Sequence, residues 1–150
     1  MKNIFDAGVT DEIISRINKL TPEDRPQWGK MSAGQMFAHC NVSYEMIYED
    51  RHPAPNAFLK FILKTFIKKK VVGDSPYQHN SRTGPQFVMK HDKNFEEEKK
   101  RLIDYINKTR DLGEKYFNGR ESISFGKLTT DEWNNMLYKH LDHHLRQFGK

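Results

Sequence analysis

The chain has 150 residues, 36% hydrophobic and 30% charged, with a formal net charge of +5 and one cysteine. That length fits a single domain with a real core and is too short for two ordinary ones. Cys40 alone excludes an internal disulfide and fits a reducing compartment, and no run reaches the roughly 18 apolar residues of a membrane span. The opening MKNIFDAGVTDEII lacks a charged stretch followed by an apolar one, so no secretory signal is expected and the predicted location is the cytoplasm. The positive charge is spread rather than massed, and no helix-turn-helix or zinc-finger pattern appears, so nucleic acid is not an expected partner.

In chain order, Thr10 is placed to cap a first helix, TDEIISRINKL, with Ile13, Ile14, Ile17 and Leu20 as its buried stripe. TPEDRPQWGKM follows as a loop whose Trp28 should anchor it to the core. Ser32 caps a second helix, SAGQMFAHCNVSYEMIYED, with Met36, Val42, Met46 and Ile47 facing inward. His39 lies among them: at about 100° per residue, Met36, Ser43 and Met46 fall within about 60° of it. Ser43 is thus set to hydrogen-bond His39 or a bound ligand. Cys40, about 100° away, is expected as a small buried hydrophobe, and Tyr44 and Tyr48 point away from His39.

The loop RHPAPNAF leads into an apolar helix, Phe58 to Val72, whose lysines at 60, 64 and 68 make a polar ridge. Its composition suits either an anionic membrane surface or, as the favoured expectation, packing on the bundle or a second subunit. Gly73 to Lys93 is a long irregular loop, of a kind that often covers a functional site; its His79 and His91 are expected at the surface. Asp92 is placed to cap the next long helix, with Phe95, Leu102, Ile103, Tyr105 and Ile106 inward and Glu96 to Arg101 as a solvated charged face. A short connection allows an extended turn around Ile123 to Phe125, and Thr129 or Thr130 caps the last helix, which runs to Phe148.

That last helix holds three of the seven histidines, His140, His143 and His144. Measured from His140, Trp133, Leu137, His144 and Phe148 all fall between about +20° and +80°, so His140 and His144 sit on the apolar stripe one turn apart. His143 falls at about −60°, on the boundary between buried and wet faces. Two buried imidazoles need two sets of partners, and an i,i+4 pair with a third nitrogen from His39 makes a face able to hold a transition metal with positions left open. Three neutral nitrogens suit Zn, Ni or Fe without separating them. Asp142 is expected to face solvent, and Arg146 and Gln147 to pack or cap the helix end.

The histidine of SAGQMFAHC and the ending HLDHHLRQFG resemble the DinB/YfiT-like superfamily of metal-dependent proteins. FGKLTTDEWNNMLYKHLDHHLRQFGK is similar to a bacterial branch known chiefly as a domain of unknown function. The resemblance covers nearly the full chain. It implies an all-α fold, an up-down-down-up four-helix bundle over residues 1–150, here with an additional short helix and a long loop, often as a homodimer. It also implies a divalent metal held by His39, His140 and His144. The superfamily includes metal-dependent thiol S-transferases, a thiol-dependent isomerase and hydrolases. The expectation is therefore an enzyme that activates water or a low-molecular-weight thiol against a small electrophilic substrate, with Ser43 and His143 as weaker catalytic candidates. The rival expectation is a non-catalytic interaction module whose histidines are core residues.

Overall fold

The computed structural model describes residues 1–150 and is mostly helical. The helices are α1 (Ala7–Asn18), α2 (Ala33–Tyr48), α3 (Ala57–Ile62), α4 (Lys68–Val72), α5 (Phe95–Phe117) and α6 (Thr130–Gln147). The four long ones pack on each other: α2 lies against α5 and α6, α1 against α5 and α6, and α5 against α6. Their shared core includes Ile13, Ile17, Phe37, Leu102, Ile106, Phe117, Trp133, Leu137 and Leu141. A two-residue ladder, β1 (Glu121–Ser122) with β2 (Gly126–Lys127), brackets the Ile123–Phe125 turn.

The caps show how local sequence sets the helix starts. Ser32 and Gln35 form a reciprocal capping box on α2, and Thr129 and Glu132 form another on α6. Two starts differ from expectation. Asp6, not Thr10, caps α1, because Ile4 and Phe5 are buried just before it and the Thr10 hydroxyl is spent on the Ile4 carbonyl. Asn94, not Asp92, caps α5 by accepting from the Glu97 amide. Near its end α5 kinks at Gly113, which has φ 65° and so leaves helical geometry at a residue without a Cβ.

α2 is central. Ten consecutive residues, Met36 to Glu45, are buried, so the helix is enclosed on every side rather than along one stripe. Its N-terminal turn comes very close to the chain before α5: a Cβ on Gly34 would stand 2.7 Å from the Lys93 carbonyl oxygen.

The single helix expected from Phe58 to Val72 is instead α3, a π-helical turn (Leu63–Ile67) and α4. Within that turn the Thr65 hydroxyl donates to the Phe61 carbonyl, in competition with the backbone ladder. The expected packing of this segment on the bundle holds for its second half only: α4 lies against α6 with Val72 buried, and Leu63 and Val71 pack on the core, while neither α3 nor the π turn buries a residue. The Glu96–Arg101 stretch is not simply a solvated face either: Glu98 and Arg101 turn inward toward Asn41 and Glu45 on α2.

Candidate metal centre

α2 and α6 bring His39, His140 and His144 together. One ring nitrogen from each lies within 4.8 Å of the others, an arrangement able to hold a metal ion. His39 and His144 are buried, while His140 keeps partial exposure. No carboxylate pairs with any of the three, so the cluster is a set of neutral nitrogens rather than an ion-paired network.

The other ring nitrogens explain the orientation. His39 Nδ1 lies 2.9 Å from the Phe87 carbonyl, which can only accept, so that nitrogen carries the proton and Nε2 presents a lone pair. Gln147 donates its amide to the Trp28 carbonyl, which turns Oε1 toward His144 Nδ1 at 2.8 Å and fixes the same tautomer there. His140 Nδ1 meets the Ser43 hydroxyl at 3.1 Å, and a hydroxyl can donate or accept. His140 is therefore the one ring free to change tautomer. With its proton on Nε2 it donates to His39 Nε2, 3.0 Å away; with its proton on Nδ1 it donates to Ser43 and turns a lone pair inward. Two nitrogens bound to one ion at about 2.0–2.1 Å stand about 3.0–3.4 Å apart, and the His39–His140 separation sits at the lower end. The donor set and its hydrogen-bonded backing fit a transition metal.

Burial keeps the rings neutral. It pushes His144 down to about 3, with the neighbouring His39 adding to the effect and the Gln147 hydrogen bond opposing it. Burial likewise lowers His140, helped by its three histidine neighbours, and lowers His39 against the raising effect of the Phe87 carbonyl. Cys40, completely buried, has its thiol pushed well up by desolvation and is inert packing beside Met36.

His143 is half-buried beside the cluster, its ring 5.0 Å from that of His144. It lines a pocket of about 110 Å³ with Trp28, Tyr77, His79, Asp142 and Arg146. Trp28 stacks on His79 at 3.7 Å, and Tyr77 stands edge-on to His143. Trp28 thus anchors its loop to the rim of the site and is only half-buried, not fixed in the main core as expected.

Ser43 bonds to His140, not to His39. His79 is a stacking partner at the rim, and His91 is exposed, contributing only its carbonyl to Gln35. Asp142 does not face solvent: its side chain is 17% exposed and held by Arg16 and Arg146. Gln147, expected to pack or cap the helix end, instead backs His144, and sequence reasoning missed Phe87 and Lys139. Gln147 sits three residues past His144, a spacing that by itself signals a side-chain pair. The Phe87 carbonyl carries no side-chain signature. Lys139, 5% exposed, donates to the carbonyls of Lys70, Gly73 and Ser75 and ties the long loop to α6 beside His140.

A family model described as a protein of unknown function, DUF1569, matches residues 4–150. The chain belongs to that family. No curated protein and no solved structure matches the sequence. For this DUF1569 member, function has to be read from the site itself.

Proposed function

We propose that the chain is a metal-dependent enzyme of the DinB/YfiT-like kind, with its long helices arranged as an up-down-down-up four-helix bundle. His39, His140 and His144 would hold one divalent transition metal, Zn, Ni or Fe. The observation that carries this reading is the convergence of three imidazole nitrogens, two of them with the opposite nitrogen locked as donor by Phe87 and Gln147. Hydrogen-bonded core histidines have no need to present lone pairs toward one point, and metal ligands do.

When bound, the ion would supply Lewis acidity suited to activating a water or a low-molecular-weight thiol toward a small electrophilic substrate. The chain's own groups divide the remaining work. Phe87, Ser43 and Gln147 orient the three rings. Ser43, through its bond to His140, is a positioning residue. His143 opens to the adjacent pocket, and burial together with nearby His79 lowers its basicity, so it is neutral near pH 7 and able to take up a proton. Trp28 and Tyr77 wall that pocket with aromatic surface.

The test is metal content by plasma mass spectrometry on protein without a histidine tag, beside His144→Ala. The expected result is about one metal per chain, absent from the variant. Wild-type protein that remains metal-free after incubation with zinc, nickel and iron would leave His39 and His140 as a hydrogen-bonded core pair and the domain as a non-catalytic module.

A further inference from the structure

The stretch Asn56–Val72 carries the molecule's concentrated group of exposed large apolar side chains. Phe58, Phe61 and Phe66 are 74%, 63% and 69% exposed, with Leu59 and Ile67 beside them; Met1 and Val88 are the only others elsewhere. The segment is held at its C-terminal end. There α4 packs on α6, Val72 is buried, the Val72 carbonyl accepts from Asn135, and Lys139 holds the Lys70 and Gly73 carbonyls.

The same stretch has five lysines, 60, 64, 68, 69 and 70, and no acidic residue. Lys60 pairs with Glu121 on the hairpin and Lys68 with Glu132 on α6. Lys64, Lys69 and Lys70 form no ion pair, and Lys64 and Lys127 on β2 add positive charge around Glu121, which Lys60 already holds. Phenylalanines standing in water among unanswered lysines call for a surface that is apolar at one depth and anionic at the next.

We infer that Asn56–Val72 is a docking surface for an anionic lipid bilayer, with Phe58, Phe61 and Phe66 entering the headgroup boundary and the lysines meeting the headgroups. Charge complementarity selects this occupant over a second copy. A two-fold contact through this face would set two lysine-rich segments against each other with no carboxylate in either to answer them. A bilayer surface carrying acidic lipids answers both the apolar and the cationic side chains. Because α4 packs on α6, the docked segment would lie against the helix that carries His140 and His144.

The test is co-sedimentation of the full chain with phosphatidylcholine vesicles containing about 30% phosphatidylserine, beside vesicles of phosphatidylcholine alone. The wild type should pellet with the acidic vesicles and stay in solution with the neutral ones. Lys69→Gln with Lys70→Gln should lower partitioning about fivefold per lysine, and Phe58→Ser, Phe61→Ser and Phe66→Ser together should lower it at least about tenfold. These side chains are exposed, so circular dichroism and the unfolding midpoint should not change, which separates lost docking from lost folding. No binding to acidic vesicles, equal binding to both kinds, or full binding by the phenylalanine variant would each overturn the inference. A dimer in sedimentation equilibrium that the phenylalanine variant dissociates, without vesicle binding, would assign the face to a second copy. The histidines are untouched, so the result stands apart from the metal reading.

Discussion

α2 carries two polar clusters, and they are finished in opposite ways. Toward α5, Glu45 is buried but saturated: Arg101 reaches it at 2.5 Å and His52 at 2.7 Å, with Arg51 at 3.6 Å. Around it, Asn41 donates to Glu98 and the Tyr105 hydroxyl bonds to Glu49. Toward α6, His39 and its two partners have their outer nitrogens engaged by Phe87, Ser43 and Gln147, while the inner ones converge, with His39 Nε2 3.0 Å from His140 Nε2. A carboxylate answered on both oxygens has little left to offer a ligand. A cluster whose ring nitrogens converge has donors able to hold a metal ion, and that difference marks it as the candidate site.

Four measurements test the difference between the two clusters. The largest expected effect is metal-dependent stability: at about a thousand times Kd, added metal should raise the unfolding free energy by about 4 kcal/mol. His39→Ala or His144→Ala should abolish that gain in a chelator-reversible assay, and a gain retained in both would remove the histidines from the site.

Next, Arg101→Met should cost about 2–3 kcal/mol in urea denaturation, because Glu45 keeps only its weaker partners. That cost should be the same with and without metal. A metal-dependent cost would mean that the two clusters are coupled.

Third, Gln147→Leu removes the acceptor behind His144 and should weaken metal binding about 10–100-fold, with a smaller loss for Ser43→Ala, whose hydroxyl supports a ring free to choose its tautomer. Competition with a chromophoric chelator reads both, and unchanged affinity in Gln147→Leu would contradict the role given to it.

The smallest effect is in acid. Burial opposes ionisation of Glu45, but the hydrogen bonds from Arg101 and His52 outweigh it and hold its folded-state pKa below the ordinary 4.5. The stability it contributes is therefore complete above that value and is lost as pH falls through the lower folded-state one. Arg101→Met should flatten this acid limb, as read from urea midpoints between about pH 5 and about pH 3.

Much of the site was legible because helical periodicity is a strong constraint. His140 and His144 share the stripe of Trp133 and Leu137, and all four are found where a 3.6-residue repeat puts them. His39 was legible for the same reason, beside Met36. The misses have local causes. Asp142 was read as solvated because the repeat turns it outward, but Arg16 of α1 covers it. Glu98 and Arg101 looked like surface charge because i,i+3 pairs usually are, yet a buried carboxylate on α2 draws the arginine inward. The π turn at Leu63–Ile67 was invisible because an apolar run with lysines fits an α-helix equally well.

Residues close along the chain suffice to fix the four long helices, the capping boxes at Ser32 and Thr129, and the directions of the three histidines relative to their own helix axes. What depends on residues far apart came from the packed fold. It set the 3.0 Å approach of His39 to His140, the Phe87 carbonyl behind His39, the closing of Glu45 by Arg101 and the exposure of Phe58, Phe61 and Phe66. A residue's direction on its helix follows from about 100° of turn per position, but which groups meet across helices is fixed only when the packed core sets the distance and angle between them.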